Sequence, residues 1–443
     1  MKNITILFGF LFTSSLCFAQ YENFDLAKYK LPDIKRHQMD LELGANGNSY
    51  YGRLNFENSD ASISDYYNAN GNSSLGYSFF KNTEKVQGNL LVDLSTNFDV
   101  DKQEYNESVV TDEYQLYNTL IGSYEAKYFL RKEWFYLLDP YLYSSFNKQE
   151  DKVGKSDFKS KTFNPSLGGG FGKGRIEQVQ DYRQAILIIK ELEKRGVLNR
   201  TLTENEMIEF AQEISTVKNE RFFDSRKRKE KELMTIDSFL KEKGLIREND
   251  INYFVGTDDM WTYGALQIRE SGTEWRVVFT PGYHYTDREG GERLYDAFNT
   301  GYKFEYKYRK PINIKWQFES DFELNHYYHK LLRQENISPV ESKYRSNILF
   351  YNQVGYYPNT RTYITAYFSV VLENRSDEKF LDEDGYNEQI GLGTNAYYYL
   401  SEKLRFELAL SYYWHNNTTY GRNVTDSLNK SFNYNLKLNY AIF

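Results

Sequence analysis

Three stretches of the chain set charged side chains at a spacing of two. They are Lys303, Glu305 and Lys307; Lys315, Glu319, Asp321 and Glu323; and Lys403, Arg405 and Glu407. In an extended chain alternate residues share a face, so each stretch puts mixed charge on one side and Phe, Tyr or Leu on the other. Charge turned inward is tolerable only beside water or a partner of opposite sign. The chemistry these rows suit is that of a wet, lumen-lining wall, which holds or passes a polar solute and breaks no bonds.

Other candidates carry less. "RKRKEK" places Arg226, Lys227, Arg228 and Lys229 together, either as a docking patch for an acidic partner or as a solvated helix face with pairs such as Arg226–Glu230 and Arg228–Glu232. His326 and His329 are three apart, which on a strand sends them to opposite faces and spoils a metal pair. Asp382, Glu383 and Asp384 in "LDEDGYNE" could face a hard cation but lack the spacing of a calcium loop. "GGGFGKG" has no Ser or Thr after Lys173, as a phosphate loop would, and reads as a flexible exit between structural units. The five His group with no carboxylate and Ser in a recognisable catalytic set, so no enzyme, cofactor or metal is expected.

The elements that must position the charged rows follow from the same period. With 41 Tyr and 31 Phe against 7 Pro, the 443-residue chain is rich in residues that suit long, half-buried strands. Alternating segments run roughly over 39–57, 61–80, 85–100, 112–130, 134–149 and 158–173. A second set runs over 273–286, 296–309, 312–328, 342–356, 360–373, 386–400, 402–415 and 430–443. "INIKWQFESDFELNHYY" shows the pattern: Ile312, Ile314, Trp316, Phe318, Phe322 and Leu324 on one parity, Lys315, Glu319, Asp321 and Glu323 on the other. The clearest of these segments reach about thirteen to seventeen residues, where strands of a soluble sandwich run to about 5–6. Connections after even strands are tight ("KNTEK", "RKE", "KP", "PNT", "SEK"), and several after odd strands are longer and polar.

The first twenty residues, "MKNITILFGFLFTSSLCFAQ", combine Lys2, an apolar run from Ile4 to Phe12 and the small Ala19, which reads as a secretory signal peptide over residues 1–19. No later run approaches the roughly 20 apolar residues of a membrane helix. Mean hydropathy of −0.71 and a formal charge of −7 argue against a helical membrane protein and a nucleic-acid binder. With its leader, long alternating strands, loop asymmetry and terminal Phe443, the chain resembles bacterial outer-membrane β-barrel proteins over all but roughly residues 175–272. The resemblance implies a mainly β, transmembrane antiparallel β-barrel of about 14 strands in the lipid bilayer of the outer membrane, with short turns and both termini on the periplasmic side.

Residues 20–38 then form a periplasmic lead-in, 39–174 strands 1–6 and 273–443 strands 7–14. Between them the period changes to 3.6. Val179, Tyr182, Ile186, Ile189 and Leu192 form a helical stripe that stops at Gly196. Thr203 and Glu206 make a capping box ahead of Met207, Phe210, Ala211, Ile214 and Val217, and a third helix from Asp224 carries Leu233, Ile236 and Leu240. Residues 175–250 hold 16 basic and 16 acidic residues. Leaving after an even strand, this helical insertion is expected to be periplasmic and to protrude toward an envelope partner. The function these readings support is a narrow porin-like channel or transporter for small solutes, with a structural or docking protein as the alternative and an outer-membrane hydrolase behind it.

Overall fold

Strand alternation is realised almost segment for segment. In a computed structural model the chain forms β1 (Ile34–Phe56), β2 (Ser59–Asn82), β3 (Val86–Tyr105), β4 (Ser108–Phe129), β5 (Trp134–Asp151), β6 (Ser156–Gln178) and β7 (Glu270–Glu289). It continues with β8 (Arg293–Pro311), β9 (Trp316–Gln334), β10 (Ser342–Tyr356), β11 (Thr362–Asp377), β12 (Asp384–Tyr399), β13 (Leu404–Tyr420) and β14 (Thr425–Tyr440). The structure describes residues 24–56, 59–106, 108–220, 225–246, 251–264, 268–289, 293–334, 342–377, 384–400, 404–420 and 425–440. The expected signal peptide, Lys403, Asp382 and Glu383 and the terminal Phe443 lie outside them.

All fourteen strands belong to one antiparallel sheet in sequence order. Because the ladders keep parity except at single shifts near one end of β1–β2, β3–β4 and β8–β9, the apolar rows line up from strand to strand. Leu41, Leu75, Leu94 and Leu120 stand opposite one another across β1–β4, and Val277, Phe304, Leu324, Ile348 and Leu372 across β7–β11. The sheet therefore has one continuous apolar face and one polar face. Among the described residues β1 pairs only with β2 and β14 only with β13, so the expected barrel is not closed by a ladder here.

Several boundaries differ from the expectation. β9 begins at Trp316, because Asn313 folds the chain back: its side chain accepts from the backbone N–H of Lys315 and Trp316 at 2.8 and 2.9 Å. Lys315 thus lies in the β8–β9 turn, outside the strand row it was assigned to. "GGGFGKG" is no flexible exit; it is strand β6 itself. One of the longer polar connections expected after odd strands, "DKQEYNESVVT" after strand 3, is mostly strand, since β3 and β4 continue pairing to Tyr105 and Ser108. The lead-in is shorter and more structured than expected, with a turn of 3-10 helix over Leu26–Lys28 capped by Asp25 and β1 starting at Ile34.

Between β6 and β7 stand α1 (Gln180–Lys194), α2 (Glu204–Asn219), α3 (Ser225–Glu242) and α4 (Ile251–Gly264). Gly196 and Gly244, at φ of +70° and +65°, end α1 and α3 in the left-handed conformation that glycine adopts without strain. The Thr203–Glu206 capping box is formed. The stripes of α1 and α2, with Ile236 and Leu240 of α3, are fully buried in one core; each such side chain contributes about 1.5–3 kcal/mol. Leu26 and Tyr29 of the lead-in and Ile314 of the β8–β9 turn complete that core. Tyr29 shares a 2.6 Å hydrogen bond with Ser215. Helix α4 is absent from the sequence expectation because Ile251, Phe254 and Val255 are exposed, which leaves no clean stripe.

Candidate functional site

The polar face divides into regions of different chemistry. Toward the even-turn ends of the middle strands, side chains meet across strands that are not neighbours. Lys127 of β4 reaches Glu274 of β7 at 2.7 Å, and Arg276 of β7 reaches Glu125 of β4 at 2.9 Å. Arg276 also binds Glu305, which holds Lys303 at 3.1 Å. Arg309 forks onto Asp321 at 2.7 and 3.1 Å, with Glu270 at 3.2 Å and Glu319 at 4.0 Å. Glu125, Lys127, Glu270, Glu274, Arg276 and Arg309, together with Lys307, border a cavity of about 400 Å3 that Leu31 of the lead-in also lines.

The glycines of β6 make this approach feasible. A Cβ on Gly170 would sit 2.2 Å from the Val277 carbonyl oxygen, and one on Gly172 would sit 2.3 Å from that of Trp275. Gly168, Gly170 and Gly172 fall on the polar row, so β6 offers no side chain there and β4 and β7 meet over it. Phe135, Leu137 and Val278 pack beside the crossing as a small buried apolar cluster.

A second crossing lies on β11–β13. The Tyr367 and Tyr413 hydroxyls are 3.1 Å apart, over Gly391 and Gly393 of β12. Tyr351 stacks on Tyr367 with ring centroids 5.7 Å apart, and Tyr363 meets Tyr397 edge-on at 3.9 Å. Arg405 and Glu407 pair with each other on β13, and Arg405 also donates to the Tyr399 hydroxyl at 3.1 Å.

The helices sit against the even-numbered turns through two arginines, both essentially inaccessible to solvent. Arg183 of α1 donates to the carbonyl oxygens of Ile314 at 3.2 Å and Asn359 at 3.4 Å, in the β8–β9 and β10–β11 turns. Arg269 donates to Ile314 at 3.0 Å, Asn313 and Trp316 at 2.9 Å, and to the Gln317 side chain at 2.5 Å. Both guanidiniums lie over the Tyr357 ring. Burial brings each down to about 10, and for Arg183 the neighbouring Arg269 adds to the shift.

Of the sequence-assigned lumen residues, Lys303, Glu305, Lys307, Glu319 and Asp321 are gathered around the central network. Glu323 shares their row, directly across the ladder from Glu305. Arg405 and Glu407 lie apart from them on β13. In the basic run, Arg228 is held by Glu232 at 2.8 Å and by the Lys218 carbonyl, and Lys229 by Asp258 at 2.7 Å. Lys227 is exposed, and the Arg226 side chain lies outside the described residues. His326 bonds Ser346 on the apolar face, while His329 bonds Asn299 on the polar face. Among the described residues no three His, Cys, Asp or Glu side chains are grouped to hold a metal. Sequence reasoning missed Arg183 and Arg269; a lone arginine inside the apolar run "DYRQAILIIK" was the available signal for the first.

No protein-family model matches the chain, and neither does any curated protein. Among solved structures it is similar to a bacterial polysaccharide outer membrane secretin (8% identity over 93% of this chain and 99% of that one, TM-score 0.29). It is also similar to OmpT, an outer membrane protein of Vibrio cholerae (9%, 91% and 99%, TM-score 0.24), and to the siderophore receptor PiuA from Acinetobacter baumannii (8%, 94% and 76%, TM-score 0.30). Likenesses this weak carry no argument about function.

Proposed function

We propose that the chain is an outer-membrane β-barrel that passes small polar solutes, with its helices seated as a stopper on the periplasmic mouth. The carrying observation is the two-faced sheet. Strands of 15 to 24 residues present a continuous exposed apolar face, while the opposite face holds charges that need water or each other.

Closure into a barrel is supported by register. Following ladder partners from Lys35 of β1 through each strand in turn leads to Asp426 of β14, fourteen residues short of Tyr440 at the end level with Lys35. Pairing Lys35 with Tyr440 closes fourteen strands with a stagger of fourteen, a strand tilt of about 35° at ordinary strand spacings. It also keeps parity, setting Leu41 beside Tyr434 and Leu43 beside Phe432 on the apolar face.

Conductance in planar bilayers tests the stopper. The wild-type protein should conduct weakly, and Arg183→Met with Arg269→Met should conduct several-fold more. Silence from both proteins would overturn the reading. A rival role, an anchor whose helices bind an envelope partner, is favoured by the exposed Ile251, Phe254 and Val255 on α4.

A further inference from the structure

On closure, β12, β13, β14, β1 and β2 become consecutive, and the polar rows of these five strands differ from the rest. Above the level of Glu407 and Glu42 they present no Asp, Glu, Lys or Arg among the described residues; the wall there is largely amide, hydroxyl and glycine. β14 contributes Asn429, and β1 and β2 contribute Asn46, Asn48 and Asn70; Asn433 and Asn435 form the wall's lower edge, opposite Glu42 and Asp40 on closure. Asn46 donates to Asn70 at 3.2 Å, and Asn70 to Asn68 at 3.2 Å, so part of the wall is already ordered. Beside it lie the flat faces of Tyr351, Tyr367 and Tyr413, given room by Gly391 and Gly393.

The chemistry that fits this wall is narrow. Each amide offers two donors and an acceptor with two lone pairs, and each tyrosine an apolar plane with one hydroxyl. An ion satisfies only half of such a surface. A hydroxyl both donates and accepts, and a ring bearing several hydroxyls also presents C–H faces that lie flat on tyrosine. We propose that this sector binds uncharged polyhydroxylated solutes, short neutral oligosaccharides, a substrate class that rests on the proposed pore. The charged sector on β4–β9 does not compete, because its cations and carboxylates neutralise one another in the network around Arg276 and Arg309.

The test uses the full chain folded in detergent, titrated calorimetrically with maltohexaose and with the anionic hexagalacturonate. Maltohexaose should bind and hexagalacturonate should not. Tyr367→Ala should weaken maltohexaose binding at least about tenfold, while Tyr367→Phe, which keeps the stacking plane, should stay near wild type. Asn433→Asp with Asn435→Asp supplies a second variant that adds charge without removing bulk, and it too should weaken binding. Equal or tighter binding of hexagalacturonate, or no maltohexaose binding, overturns the proposal. Calorimetric binding with silent bilayers would remove the pore reading and leave the sugar site standing; conduction with no maltohexaose binding would do the reverse.

Discussion

Glu125 and Arg276 lie 2.9 Å apart although β5 and β6 separate the strands that carry them. Arg276 is nearly buried and also holds Glu305, itself buried, so removing the guanidinium leaves Glu305 with Lys303 alone and takes the cross-sheet partner from Glu125. Arg276→Ala should therefore cost about 3–5 kcal/mol. Urea unfolding of the refolded protein measures it, and a loss below about 1 kcal/mol, the range of an exposed pair, would deny the crossing.

The crossing depends on β6 lacking side chains on one row only. Gly170→Ala should destabilise by about 1–3 kcal/mol, because its Cβ meets backbone that cannot swing aside. Gly169→Ala, on the opposite face with nothing within 4 Å, should be close to neutral. Equal melting of the two variants would remove the close-approach explanation.

Leu408 and Glu407 are adjacent on β13 and face opposite ways. If the apolar face meets lipid, Leu408→Arg should cost about 2–4 kcal/mol near mid-membrane, and Glu407→Gln far less. Folding yield into lipid vesicles reads the difference; greater sensitivity at Glu407 would reverse the facing.

The closing register is testable with cysteines at Leu41 and Tyr434, opposite each other when Lys35 meets Tyr440. Oxidation should give an intramolecular disulfide within one chain, seen as a mobility shift without a change in mass. A disulfide only between chains would assign the two edges to an oligomer instead.

Glu206 gives the helices a pH dependence. Hydrogen bonds from Arg200 first, then from Thr203, lower its carboxyl to about 2 from an ordinary 4.5. With the folded value depressed, the stabilisation is fully present above about pH 4.5 and is lost as pH falls toward 2. Helicity of α2, followed by hydrogen exchange, should loosen across that window, and Glu206→Gln should flatten the dependence.

The strand and helix content was legible because both rest on local periodicity. Phe322 and Leu324 against Asp321 and Glu323 could only be a two-faced strand, and Tyr182, Ile186 and Ile189 only a helical stripe. What could not be read was which distant rows touch. Nothing local in "GGGFGKG" says that its glycines clear space for Lys127 and Glu274, and nothing in Arg269 says that it will fasten onto three carbonyls of a turn 45 residues away. The asparagines of β1, β2 and β14 formed no pattern in the sequence, because the wall proposed from them needs the two ends of the chain side by side.

Tyr29 and Ser215 are 186 residues apart in the chain, yet they share a buried hydrogen bond. A chain that emerges N-terminus first releases Leu26 and Tyr29 long before α1 and α2 exist to receive them. Such a contact closes a long loop and so forms late, after its entropy cost can be offset by the helices' own packing. The lead-in ahead of β1 is thus seated only once strands β1–β6 and the first two helices have been made, whereas the base of β1 has its ladder to β2 from the start. Assembly acquires a built-in order in which the segment that precedes every strand in the chain is seated after six of them and two helices are in place.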